Sequence, residues 1–248
     1  MKTNLSSPAF LVFVVVLAMM LVLALGGVGS SLAGAPPEAT GPIESDDPFE
    51  AFRASRMALP ETTPPITPVA VGDDSVIGLF PPQRLFREEL ADLNGDGRGE
   101  TYSLRNGRLT VTDPEDRLLW QSPEEWWVDD FFLGDITNDG RQNLCLSLWR
   151  EGSYGPYRPF WVEANDSLVR NHLFVYQMEA AGEHSPEKPS LKAVWQSSHL
   201  ARPNHRAFIA RIDGENHLVV VQGDYEDPQT GETAFWKWNG WGFSPSRD

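Results

Sequence analysis

Cysteine is nearly missing from this chain: Cys145 is the single one in 248 residues. No internal disulfide can form, so the fold rests on its core, with or without help from a metal. Cys145 stands within Leu144-Cys145-Leu146-Ser147-Leu148 and reads as a small buried hydrophobe. Basic residues are also scarce. Twenty Lys and Arg face 35 Asp and Glu, for a net charge of −15, and no basic cluster forms. That excludes nucleic acid as a partner and argues against simple docking on anionic lipid headgroups. The five histidines contain no His-X-X-X-His pair of the kind that holds zinc on a helix. No serine sits in a Gly-X-Ser-X-Gly elbow.

What the chain does have begins with an uncharged apolar run from Ala9 to Gly26, close to the length that spans a bilayer core. Lys2 precedes it, and Glu38, Glu44, Asp46, Asp47 and Glu50 follow it. The positive-inside bias keeps the amino terminus in the cytoplasm and exports the rest. No cysteine follows the run, which rules out a bacterial lipoprotein anchor. Ala33-Gly34-Ala35 resembles a small-residue cleavage site. The expectation is therefore a membrane-anchored protein with an extracytoplasmic domain, or a secreted one if cleaved after Ala35. Residues 1–35 form the signal or anchor segment. Residues 36–74, with eight prolines between Pro36 and Pro68, read as an extended, disordered stalk, in which Asp47–Met57 can form a short helical turn but sustains no period. Residues 75–248 are long enough for one domain with a sizeable core.

In that last part, short runs of Val, Leu, Phe, Trp and Tyr alternate with turns of Gly, Asn, Asp and Pro, which predicts an all-β fold. Three units align. The first runs from Leu85 to Ser122, with strands at Glu100–Leu104, Arg108–Thr112 and Leu118–Ser122. The second starts near Trp127 and continues through Asn143–Trp149, His172–Gln177 and Ala193–Ser197. The third has Ala207–Arg211, His217–Gln222, Thr233–Trp238 and Trp241–Phe243. Each unit reads strand, Asp-Gly loop, strand, strand, strand. Leu119-Trp120-Gln121-Ser122 is echoed by Val194-Trp195-Gln196-Ser197, so Trp120 and Trp195 read as core. A strand at Ser75–Phe80 would begin a partial fourth unit.

The loop of the first unit carries the clearest chemistry. Asp92, Asn94, Asp96 and Glu100 put oxygen side chains at relative positions 1, 3, 5 and 9, with Gly97 at position 6. Calcium takes 6–8 oxygen ligands, and a tight loop supplies them from alternate residues. Gly97 permits the sharp turn that aims the carbonyl of Arg98 at the ion. Without a cation the same residues form an acidic turn between strands. An EF-hand would need Glu at position 12, where Ser103 stands, and flanking helices. The second loop keeps Asp135, Asp139 and Gly140 but has Thr137 and Asn143 at positions 3 and 9. It is a weaker site or an empty turn. Asp213-Gly214 in the third unit reads as a plain turn.

Loop and repeat together resemble the FG-GAP/VCBS repeats of integrin-type β-propellers, over roughly Phe86 to Phe243. The resemblance implies four-stranded blades, structural Ca2+ in the interstrand loops, and work as a binding module. Propellers usually have at least four blades. Three leave an open edge, through which chains can associate.

An insertion after the second unit's second strand is rich in Gly and aromatic residues. Tyr154, Tyr157, Arg158 and Trp161 there, with Tyr225 in the matching loop of the third unit, suit a sugar ring or a peptide. Packing of the two loops on each other is the alternative reading. The most concrete function is a non-catalytic adhesion or recognition module for a protein or glycan outside the cytoplasm. A cell-envelope hydrolase using His172 and Tyr154, and a scaffold of an envelope complex, are the alternatives.

Overall fold

The computed structural model describes residues 47–62, 84–155, 158–164, 166–182, 189–227 and 231–246. The apolar run Ala9–Gly26, the site at Ala33–Ala35, the strand expected at Ser75–Phe80 and much of the 36–74 stretch lie outside them. Among the described residues, no helix is long and apolar enough to cross a membrane.

The all-β expectation holds, and the three units are three four-stranded antiparallel meanders. Sheet one is β3 (Arg87–Ala91), β4 (Glu100–Arg105), β5 (Arg108–Thr112) and β6 (Leu118–Gln121), paired in chain order. Sheet two is β7 (Trp127–Gly134), β8 (Asn143–Glu151), β9 (Val169–Glu179) and β10 (Ser190–Gln196), again in order. Sheet three is β11 (Asn204–Ile212), β12 (Glu215–Gln222), β13 (Glu232–Trp238) and β14 (Phe243–Pro245). A short parallel pair joins β1 (Glu61–Thr62) to β2 (Arg84–Leu85).

Sheet two lies between the other two, and its sequence shows why. In β4 and β5 burial alternates, with Tyr102, Leu104, Leu109 and Val111 inward. In β8 seven consecutive residues from Asn143 to Trp149 are buried, the mark of a strand covered on both faces. Leu144, Leu146 and Leu148 pack with Tyr102, Leu109 and Phe131 toward sheet one. Cys145 packs with Leu173, Val175, Ala207 and Leu218 toward sheet three. Cys145 is thus the buried hydrophobe expected of it, and burial pushes its thiol far above the ordinary range.

The echoed Trp-Gln-Ser segments do the same structural work twice. Ser122 Oγ accepts from the Leu109 amide at 3.1 Å, and the Ser122 amide donates to Leu109 O at 2.9 Å. Ser197 and Leu173 repeat this at 2.9 and 3.1 Å. Each tryptophan reaches the next sheet: Trp120 lies 5.8 Å from Tyr176, and Trp195 lies 5.3 Å from Phe243. Both are half-buried at outer strands.

The first strands run close together. Arg87 on β3 donates to Asp130 Oδ1 at 3.0 Å and to Phe131 O at 2.7 Å, both on β7. On the other side β7 approaches β11 so closely that a Cβ on Gly134 would stand 2.7 Å from Ile209 Cδ1.

Composition places residues 47–62 in the stalk, but they are folded. Helix α1 (Pro48–Met57) starts at the N-cap Asp47, whose Oδ1 accepts from the amides of Phe49 (2.8 Å) and Glu50 (3.2 Å). Pro48 fits the first turn, where its missing N–H costs nothing. Phe49 is buried with Trp127 and Trp149. Arg56 lies over the rings of Phe52 and Trp149 and pairs with Asp129 at 3.4 Å. The helix is too short to show a period in sequence, and its anchors are far away in the chain.

Candidate functional site

Asp92 follows β3 and Glu100 opens β4, which pairs with β3 at Ala91↔Glu100. The eight residues between must reverse the chain, and Asp92 organises them. Its Oδ1 accepts from Gly95 N (2.7 Å) and Asp96 N (3.1 Å), and its Oδ2 from Gly97 N (2.8 Å). Asp96 Oδ1 in turn accepts from Arg98 N at 2.8 Å. Gly97 has φ +84°, a left-handed conformation that disfavours other residues. Leu93 is buried beneath the loop and ties it to the core.

This turn brings the carboxylates of Asp92, Asp96 and Glu100 together, with one oxygen of each within 4.8 Å of the others. Asp96 is exposed, Asp92 half-buried, and Glu100 only 2% exposed. Burial, then the charges of Asp92 and Asp96, push the Glu100 carboxyl above its ordinary range, against bonds from backbone amides including Leu93 N at 3.2 Å. Arg98, the loop's basic residue, pairs outward with Glu115. Beneath the loop, Tyr102 is fully buried, and its hydroxyl has no hydrogen-bond partner.

A divalent cation suits this donor set: hard oxygens, three of them carboxylates, one desolvated. Asn94 stands differently from the expectation. Its Nδ2 donates to Glu100 Oε1 (2.8 Å) and Asp96 Oδ2 (3.2 Å), while its Oδ1 accepts from Asp96 N. The amide nitrogen therefore faces the carboxylates.

The second loop has the same turn. Asp135 accepts from Asp139 N at 3.0 Å and Gly140 N at 2.9 Å. Its fifth position is occupied, however: Arg141 clamps Asp139 Oδ2 through Nε (3.1 Å) and Nη2 (2.8 Å). Against a push upward from burial, those bonds and the Arg141 charge hold the Asp139 carboxyl below its ordinary range. Thr137 donates to Asn143 Oδ1 at 3.2 Å. The loop also docks on sheet three, where Asn216 N donates to Asn138 Oδ1 (2.7 Å) and Asn216 Nδ2 to Asp135 O (2.6 Å). The third loop is the plain two-residue turn expected, with φ +50° at Asp213 and +85° at Gly214.

Each aromatic loop bonds to the connection between β10 and β11. His199 N donates to Ser153 O at 2.9 Å, and the Tyr225 hydroxyl donates to Leu200 O at 2.7 Å. Tyr225 is committed inward: its ring packs edge-on to Trp149, and Arg170 lies over it. Tyr154 is half-buried and Arg158 exposed, while Trp161 is 71% exposed with Phe160 edge-on at 4.9 Å. Tyr157 lies outside the described residues. His172 is fully buried, with Nδ1 3.3 Å from Ser197 O and Nε2 3.1 Å from Gly152 O. Burial lowers it to about 4, the carbonyls pulling the other way. Both ring nitrogens thus face backbone, where His172 ties the insertion at Gly152 to the β10–β11 connection at Ser197.

Sequence reasoning passed over Asp130, a buried acid between the first strands that burial pushes up to about 6 against the pull of Arg87. Its signal was a carboxylate inside the apolar run Trp127–Leu133.

No protein-family model matches this chain, and no curated protein matches it.

Proposed function

We propose that this chain is an exported, non-catalytic binding module of FG-GAP/VCBS character, stabilised by calcium in the first loop. The reading takes the three meanders as consecutive blades of an open, propeller-like arc. Support comes from the chain-order pairing of each sheet, the Asp-Gly loop between first and second strands, and the first strands lying side by side. The observation that carries the calcium reading is the cluster of Asp92, Asp96 and the buried Glu100, whose loop arginine turns away. Like charges this close repel unless a cation lies among them. Asp92, Asp96 and Glu100 would hold the ion, with Asn94 reoriented and the Arg98 carbonyl added. The ion would lock β3 to β4, and so the edge of sheet one. Ligand capture of a protein or glycan falls to the loops and faces that this scaffold holds rigid.

Calorimetry of calcium added to the chelator-treated full chain tests this. One ion should bind, and Asp96→Ala should abolish the heat. No binding to the unaltered chain would reduce Asp92–Glu100 to an acidic turn and remove the main support for the family reading.

A further inference from the structure

We propose that the outward face of sheet one is a binding groove for a short acidic oligosaccharide. This rests on the binding-module reading and names its ligand class and place.

Strand alternation sends Tyr102, Leu104, Leu109 and Val111 into the core, so their neighbours face outward. Those neighbours line a shallow, open groove of about 500 Å³. Three guanidiniums from three elements reach it: Arg53 from α1, Arg105 from β4 and Arg108 from β5. No carboxylate is among its described lining residues, although the chain carries 35 acids.

Arg105 and Arg108 stand directly opposite each other across the β4–β5 pair. Like charges so placed destabilise a sheet unless something compensates them. Arg108 is partly compensated, by Gln121 at 3.2 Å and the exposed Glu124 at 3.3 Å. Its Nε is buried without a hydrogen-bond partner. Arg53 is paired with Glu50 at 3.0 Å. Arg105 lies over the Phe86 ring at 4.5 Å, and no carboxylate among the described residues pairs with it. An anionic group between Arg105 and Arg108 would relieve their opposition and take charge-assisted bonds from both.

The row beside the arginines is polar: across the four strands Glu88 pairs with Ser103, Ser103 with Thr110, and Thr110 with Gln121. Hydroxyls and an amide in a row match the hydroxyls of a sugar, which offer donors and acceptors together. The net charge of −15 repels nucleic acid and anionic bilayers, while a ligand with one or two acidic groups fits the local field.

The test is calorimetric titration of the full chain, at low salt, with hyaluronan tetrasaccharide and with the same tetrasaccharide after carboxyl reduction. The acidic sugar should bind, and the reduced one should bind about tenfold or more weakly. Arg105→Gln with Arg108→Gln should cost about as much, in a chain that still melts in one cooperative transition. Arg117→Gln with Lys192→Gln, the same charge change outside the groove, should leave affinity as it was. The proposal is overturned if the acidic sugar does not bind, if the reduced sugar binds equally, or if the groove variant binds like the original. It is also overturned if only DNA or phosphatidylserine vesicles compete for Arg105 and Arg108. Mass analysis of the sugar after incubation separates the two readings. Cleavage would sink the non-catalytic function while leaving the groove, and an intact but unbound sugar would sink the groove alone.

Discussion

Asp92 and Asp135 do the same work in two loops. Each folds its carboxylate onto the amides four and five residues later, and in each the acid at position 5 accepts from the amide two residues on. The loops differ in what neutralises them. In the first, Arg98 points away to Glu115, and Glu100 adds a third, buried carboxylate. In the second, Arg141 already sits on Asp139, and position 9 is the neutral Asn143. One turn geometry therefore supports either an open cluster of three carboxylates or an internally compensated hairpin. The choice lies in where one arginine goes and whether position 9 is charged.

The largest effect that separates the loops is calcium-dependent stability. With calcium at a thousand times its dissociation constant, unfolding of the full chain should be harder by about 4.1 kcal/mol than in chelator. Denaturant titration should show that increment lost in Asp96→Ala and kept in Asp139→Ala. Equal losses in both would erase the distinction between the loops.

Outside both loops, His172 gives stability a pH dependence of its own. Its folded value of about 4 lies below the ordinary 6.5, so the unfolded chain binds more protons between those limits. The His172 contribution is then full above about 6.5 and falls as pH drops toward 4, by about 3 kcal/mol in all. Asp130, raised to about 6, tilts stability the opposite way in the same window, so the check is the difference. Urea midpoints in chelator should show the original chain losing about 3 kcal/mol relative to His172→Gln between about pH 6.5 and 4.

Next comes docking of the second loop on sheet three. Asn216→Ala removes its side-chain bond to Asp135 O and should cost about 1–3 kcal/mol in chemical denaturation, with the calcium increment intact. The smallest effect is Arg141→Gln. An exposed ion pair contributes less than about 1 kcal/mol, so stability should hardly move. Sensitised terbium emission should also stay at one site, since two carboxylates remain; a second site would show that Arg141 alone keeps the loop closed.

Much of this was legible in the chain. Period-two apolar runs marked the strands, and Asp-Gly pairs marked the turns between first and second strands. The gathering of Asp92, Asp96 and Glu100 in the first loop was legible because their spacing is a local property, whereas the way the Asn94 amide faces was not. The echo of Trp-Gln-Ser had a structural cause, a buried serine bonded to the neighbouring strand. Helix α1 was legible only as a short helical turn at Asp47–Met57 inside a stalk; its place in the fold was not, since that comes from burying Phe49 against Trp127 and Trp149. Tyr225 looked like a loop aromatic for a ligand, and its ring and hydroxyl are held by Trp149, Arg170 and Leu200.

By itself, then, the sequence determined strand alternation, the reversals at Asp-Gly, and the gathering of Asp92, Asp96 and Glu100 in one loop. These depend on backbone geometry over a few residues. Only the tertiary structure decided that sheet two is buried on both faces, that Arg87 meets Asp130, and that Arg105 opposes Arg108. It also decided which acids keep an arginine and which do not. Those outcomes depend on side chains distant in sequence, whose burial strips away water and makes each pairing count.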